Sequence, residues 1–299
     1  MKILLTGANG YIGKRLLPVL LNRGHEVVCC VRDKNRFPKD GFYAHPKISI
    51  YEVDFLKDIK PDPIIQDVDA AYYLIHSMSD NTESFEKLEA LSAKNFIDLI
   101  QQTGAKQIIY LGGITNQEKL SKHLASRRKV DDILRSGGIP VTSLNAGIIV
   151  GSGSSSFEII RDLVEKLPAM ITPKWLNTKT QPIAIRNVLE YLSGVLLKRE
   201  TFDQSYDIGG PDVLTYKQML LQFAEVRGLK RHIFTIPVMT PRISSYWLYF
   251  VTSTSYKLAV NLVNSMKVEV VAKQNDLNKL LNIHLLNYKE AVSLAFQKI

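Results

Sequence analysis

The apolar residues of this 299-residue chain fall into two patterns. Short, nearly continuous apolar runs lie at Lys2–Thr6, Glu26–Val31, Ile48–Val53, Ala70–Ile75, Gln107–Leu111 and Val141–Ala146. Their length and flanking turn residues predict strands buried on both faces. The segments between them are amphipathic and of helical length. In Ser84–Thr103, the residues Phe85, Leu88, Leu91, Phe96, Leu99 and Ile100 gather toward one helix face, and Gly104 is the stop signal. Strand, helix, strand in repetition predicts an α/β fold, a doubly wound parallel sheet with helices on both faces.

The pattern changes after Gly147. Gly151–Ser156 is made of small residues only, and Pro168, Pro173 and Pro182 punctuate the next thirty or so positions. A helix at Ile185–Leu197 and a strand at Ser205–Ile208 have the composition to return to the sheet, before Gly209-Gly210-Pro211 breaks the chain again. From about Asp212 onward the residues read as mostly helical. The expected division is a sheet domain over 1–150, with return segments at about 182–210. A smaller, mostly helical lobe for substrate takes 151–181 and 211–299.

Composition changes this picture little. Apolar residues make up 45% and charged residues 22%, which suits a globular protein. The net charge of +9 raises the question of a polyanionic partner. The cations cluster only loosely, at Arg32–Lys39, Arg127–Lys129 and Arg227–Arg231, and none of these is a long run with interleaved aromatics. No nucleic-acid partner is therefore expected. Cys29 and Cys30 are neighbours on a strand, so they point to opposite faces and do not bridge. That pattern belongs to a reducing compartment. Met1-Lys2 leads straight into the first strand with no signal-peptide pattern. The longest uncharged, largely apolar stretch, Ile243–Tyr256, is shorter than the ~18 residues of a spanning helix. The expectation is a cytoplasmic protein. Peripheral membrane contact has no support in the sequence, the oligomeric state is open, and no metal site is expected.

The first strand runs into Thr6-Gly7-Ala8-Asn9-Gly10-Tyr11-Ile12-Gly13, which opens a helix to about Asn22. In this context the glycines have distinct tasks. Gly7 permits the tight turn, Gly10 lets the backbone approach a pyrophosphate, and Gly13 lets the helix pack closely. The helix N-terminus presents backbone N–H groups to the phosphates. A Rossmann-type dinucleotide site is expected, with Gly7, Asn9, Gly10, Tyr11, Ile12 and Gly13 forming the phosphate turn. At the end of the second strand, Val31-Arg32-Asp33 places Arg32 at the first polar position. A guanidinium there suits the 2′-phosphate of NADP better than the free ribose of NAD. Lys14 and Arg15 stand close enough in sequence to help. NADPH is the expected cofactor, with NAD as the alternative.

The spacing Gly7-x-x-Gly10-x-x-Gly13 after Thr6 resembles the short-chain dehydrogenase/reductase superfamily, in its atypical or extended branch that includes NmrA-like proteins. Val53-Asp54-Phe55, Pro182–Val188 and Tyr206–Gly210 extend the resemblance to about residue 215. The resemblance implies an NAD(P)H-binding oxidoreductase in which Asp54 and Phe55 lie at the adenine. The carboxyl ends of the fourth and fifth strands, at Ile75, His76, Ser77 and Gly112, are where an open α/β sheet binds ligands.

The chain departs from the family at its catalytic pair. Tyr110-Leu111-Gly112-Gly113 lacks the expected hydroxyl, and no Tyr-x-x-x-Lys comes after it. His123 and Arg127, four apart on one helix face, align with the Tyr and Lys positions. An imidazole titrating near ~6.5 can donate a proton. Arg127 supplies fixed charge but no proton relay, and its charge would lower the His123 pKa. Ser77 is a further candidate for the catalytic group. Asn145 stands where the family often carries Arg. In the later lobe, Tyr246–Phe250 has the character of a substrate pocket lining, a docking surface or plain core. Three functions stay open. They are an NADPH-dependent oxidoreductase acting on an apolar carbonyl or quinone, a non-catalytic NADPH-binding sensor or accessory protein, and an NAD-dependent epimerase or dehydratase.

Overall fold

The computed structural model describes residues 1–75, 82–115, 122–236 and 266–297, with the side chains of 82–85, 122–124 and 236 outside the description. His76, Ser77 and the Tyr246–Phe250 stretch lie outside the described residues. Two compact units divide the chain.

The first unit comprises Met1–Gly113, Ser126–Asn145 and Leu189–Tyr206. Its strands are β1 (Lys2–Leu5), β2 (Glu26–Val31), β3 (Ile48–Glu52), β4 (Ala70–Tyr73), β5 (Ile108–Gly113) and β6 (Val141–Ala146). Together with Ser205–Ile208, here β11, they form a seven-stranded sheet in the order β11-β6-β5-β4-β1-β2-β3. β3, β2, β1, β4 and β5 pair parallel. The expected strands all form, the inner ones with residues buried on both faces and the edge strand β3 only partly buried. Ile3, Leu4 and Leu5 are completely enclosed. β4 stops two residues short of the expected end. The order reverses between β1 and β4, which is the switch point where such sheets bind ligands.

Helices α1 (Tyr11–Asn22), α2 (Thr82–Ile100) and α3 (Lys122–Arg135) connect these strands. α2 ends three residues earlier than its apolar pattern suggests, in a turn where Thr103 donates to the Ile100 carbonyl. The core gathers Leu4, Val28, Phe96, Tyr110 and Val141. Helix α5 (Ile185–Gly194) and its sequel are tied to this unit by buried hydrogen bonds. The Tyr72 hydroxyl donates to the Leu192 carbonyl at 2.8 Å, and the Gln107 amide reaches Thr142 and the Val195 carbonyl. Each satisfies a polar group that burial would otherwise penalise.

The second unit comprises Ile114–Ala125, Ala146–Val188 and Asp207–Ile299. Its helices are α4 (Ser155–Lys166), α6 (Tyr216–Val226) and Tyr288–Phe296, here α7. Ser154, Thr215 and Asn287 cap them, the last two in reciprocal capping boxes with Gln218 and Glu290. Phe157, Phe223 and Phe296 meet pairwise at 5.6–5.7 Å between ring centroids. The unit also holds strands, although its sequence reads as mostly helical. β7 (Ile149–Val150) pairs with β10 (Ile183–Ala184), β9 (Lys179–Thr180) with β12 (Leu214–Thr215), and β8 (Ala169–Pro173) with β13 (His232–Ile236). These are two to five residues long, and their partners lie up to some sixty residues away in the chain, so no local pattern marks them.

Candidate functional site

The glycine turn joins the carboxyl end of β1 to α1. Gly7 adopts φ +64°, a left-handed conformation that glycine takes without strain. A Cβ there would stand 2.7 Å from the Leu74 carbonyl oxygen at the end of β4. At Gly13 a Cβ would meet the Gly7 carbonyl oxygen at 2.2 Å and the Ala8 Cα at 2.8 Å. Gly13 therefore serves the packing of α1 on the turn itself, and Gly7 serves the approach to the sheet. The turn closes with Gly10 N–H donating to the Gly7 carbonyl at 2.8 Å. Gly10 is the N-cap of α1 and no side chain caps it. The positive end of the helix dipole thus faces an exposed Asn9-Gly10 edge, which is the arrangement that receives a phosphate.

Thr6 organises the switch point, a role that its place before the glycines only hints at. Its hydroxyl donates to the Tyr72 carbonyl at 3.0 Å and accepts from the Leu74 N–H at 2.9 Å. That clamps the ends of β1 and β4 side by side. Ile75 comes next, half-buried against the core. On α1, Arg15 lies over the Tyr11 ring at 4.0 Å and donates to the Tyr11 carbonyl. Ile12 is half-buried next to it.

At the end of β2 the charges sort themselves. The Asp33 carboxylate accepts from the Asn35 N–H at 2.9 Å and pairs with Arg36 at 3.4 Å. Arg32 is exposed and makes no ion pair among the described residues. Asp54 accepts from the Leu56 N–H at 3.1 Å, which folds the loop after β3 into an Asx turn. Phe55 next to it turns its side chain into the core. Its ring is 5% exposed and packs on Phe96 at 5.8 Å, and its carbonyl accepts from Asn95. The core claims this side chain because an unbranched aromatic ring gains more there than at a polar edge.

Gly112 has a physical reason for being glycine. A Cβ would stand 2.7 Å from Asn145 Oδ1 and 2.9 Å from the Tyr110 ring. The niche where a hydroxyl side chain would sit is already filled. The Tyr110 hydroxyl donates to the Arg127 carbonyl at 3.2 Å, and burial pushes its pKa well up. His123 and Arg127 both lie on α3, one turn apart. Arg127 is half-buried, while the His123 side chain lies outside the description.

Sequence reasoning missed a buried carboxylate beside this helix. Glu89 on α2 is 5% exposed and accepts from the Ser126 hydroxyl at 2.5 Å. A glutamate on an amphipathic helix ordinarily reads as solvated surface, and only the packing of α2 against α3 reveals it. No group of three or more metal-ligating side chains occurs among the described residues, and no described helix is long and apolar enough to cross a membrane.

Comparison with known proteins places this geometry. Residues 7–172 match the family described as NAD(P)H-binding. The solved structure of the Citrobacter sp. triphenylmethane reductase complexed with NADP(H) superposes with a TM-score of 0.77, at 17% identity over 99% of this chain and 100% of that one. A nucleoside-diphosphate-sugar epimerase from Staphylococcus aureus gives 0.76, at 15% identity over 98% and 100%. These similarities show a shared fold. In sequence, the chain is 26% identical over 201 residues to the hybrid PKS-NRPS synthetase poxE of Penicillium oxalicum, which covers 55% of this chain but only 5% of the synthetase.

Proposed function

The chain belongs to the NAD(P)H-binding family, and from that premise we propose that it is an NADPH-dependent oxidoreductase acting on an apolar carbonyl or quinone. The observation that carries the cofactor preference is the end of β2. Asp33, the carboxylate that could bind a ribose hydroxyl, is spent on its own turn and on Arg36, while Arg32 stays exposed. A planar guanidinium matches a 2′-phosphate. The turn fits the rest of the dinucleotide, because the spaces at Gly7 and Gly13 leave no room for side chains and Gly10 leaves the helix N-terminus uncapped. When bound, the cofactor supplies the hydride. His123 supplies the proton to the substrate oxygen, and Arg127 holds a fixed positive charge one turn away on the same helix.

A second reading is favoured by Gly112. With the hydroxyl niche filled by Asn145 and Tyr110, the chain has the features of an NADPH-binding sensor that does not turn over. One pair of measurements separates the two. Titration calorimetry is expected to show NADPH binding at least ~tenfold tighter than NADH, a gap of about 1.4 kcal/mol, and Arg32→Ala is expected to erase it. With a panel of apolar quinones and ketones, NADPH oxidation is expected to slow as pH rises through the imidazole range, and His123→Gln to remove that limb. Tight binding without any accelerated oxidation would favour the sensor. Equal affinity for both nucleotides would remove Arg32 from the site.

A further inference from the structure

β8 (Ala169–Pro173) and β13 (His232–Ile236) run parallel, with Ala169 beside His232 and Ile171 beside Phe234. Their side chains alternate across the ribbon. Met170 and Thr172 point into the unit and are fully buried, while Ala169, Ile171, His232 and Phe234 face outward. A strand with one face in water ordinarily turns polar residues to it. Here two large apolar side chains sit directly across from each other, Ile171 at 57% exposure and Phe234 at 60%. Scattered exposed apolar residues need no explanation, but adjacent ones on a parallel ribbon, a form usually covered on both faces, do.

The charges around the ribbon indicate what covers it. Neither Pro168–Lys174 nor Leu229–Ile236 contains a carboxylate. Lys230 and Arg231 lead into β13, and Lys174 directly follows β8. Lys174 and Lys230 are exposed and make no ion pair among the described residues. The nearby pairs, Lys166–Asp162 and Arg227–Glu165, use other side chains. Arg231 rests its guanidinium on the carbonyl oxygens of Val164, Lys230 and Glu165. A second copy of the chain on this face would set cations against cations, which disfavours self-association. An aliphatic and an aromatic side chain flanked by lysines suit the headgroup boundary of an anionic bilayer. The apolar pair enters the acyl region while the lysine stems extend and their ammonium groups stay among the phosphates. The chain's net charge of +9 adds long-range attraction to such a surface.

We infer that the outer face of the β8–β13 ribbon docks this protein on an anionic lipid surface. The inference stands apart from the redox reading, since it concerns residues outside the dinucleotide turn and its test needs no turnover. Full-length protein is sedimented with phosphatidylcholine vesicles, with and without phosphatidylglycerol. Binding to the anionic vesicles only is expected, and it should weaken as salt rises. The double variant Ile171→Ser/Phe234→Ser is expected to lose at least ~tenfold in vesicle affinity. Lys174→Gln with Lys230→Gln is expected to lose about twenty-five-fold, at roughly fivefold per charge. A cooperative thermal unfolding transition like the parent's shows that these variants are folded. Should a variant not fold, Phe234→Trp serves instead, and its indole emission is expected to shift to the blue on adding anionic vesicles. Several results would overturn the proposal. They are equal sedimentation of parent and variants, binding without anionic lipid, no shift for Phe234→Trp, or a change in oligomeric state rather than vesicle binding on Ile171→Ser/Phe234→Ser.

Discussion

In the first unit, β1 to β5 pair in continuous parallel register, and the side chains of β1 are enclosed on both faces. In the second, the strand pairs span two to five residues, and helices α4, α6 and α7 gather around three phenylalanine rings. The first is held at its working edge by one side-chain hydroxyl and by close backbone packing. Thr6 clamps two strand ends, and Gly7 and Gly13 allow main chain to lie on main chain. The second is held by side-chain volume around Phe157, Phe223 and Phe296, with capped helix ends. A site built from backbone depends on the absence of side chains. A core built from aromatic rings depends on their presence.

Four substitutions sharpen that contrast. The largest effect is expected in the second unit. Phe223 is fully buried, and Phe223→Ala leaves a ring-sized cavity costing about 4 kcal/mol, read from denaturant unfolding. A cost below about 1 kcal/mol would mean that the cluster collapses easily and side-chain volume is not what holds it.

In the first unit, adding one methyl group is expected to do nearly as much harm. Gly13→Ala sets a Cβ 2.2 Å from a carbonyl oxygen, so α1 must move, at about 3 kcal/mol, with loss of dinucleotide binding by calorimetry. Gly24→Ala is the control. Gly24 has φ +84° but nothing within 4 Å of its Cβ position, so only the left-handed strain of about 1 kcal/mol applies, and nucleotide binding should be unchanged. Equal effects at the two glycines would show that close approach is not what the motif requires.

The smallest effect concerns pH. Burial, with the N-terminal amine, Arg23 and Lys47 nearby, lowers the His25 pKa from its ordinary 6.5. The folded state therefore resists protonating His25. The stability this group contributes is full above pH 6.5 and is lost as pH falls from there through the folded pKa. Thermal unfolding between neutral and mildly acidic pH is expected to show a shallower decline in His25→Gln than in the parent. Parallel curves would assign the acid sensitivity to other groups.

The two units also differ in how far they could be read in advance. The inner strand runs of the sheet were legible because burial on both faces leaves a continuous apolar signature, the edge strand β3 was legible from its Ile and Tyr residues although it is only partly buried, and the glycine turn was legible because its spacing follows backbone geometry. β8 and β13 were not, because a five-residue strand whose partner lies some sixty residues away leaves no periodic trace. The lack of a hydroxyl at the end of the fifth strand was legible, but the crowding of Gly112 by Asn145 and Tyr110 was not. That the Phe55 ring packs in the core against Phe96 was likewise not legible. Glu89 read as surface, yet it is buried against Ser126.

By itself the sequence determined the alternation of strand and helix, the dinucleotide turn and the exclusion of bulk at Gly7 and Gly13. The turn and the crowding at Gly13 arise from residues near each other in the chain, whereas the crowding at Gly7 comes from Leu74 on a neighbouring strand end. The tertiary structure was needed to show which carboxylate is already engaged, which strand face is uncovered among the described residues and which side chains crowd Gly112. Each of those depends on side chains distant in sequence meeting in space, with the energies of burial and pairing set by the neighbours that arrive there.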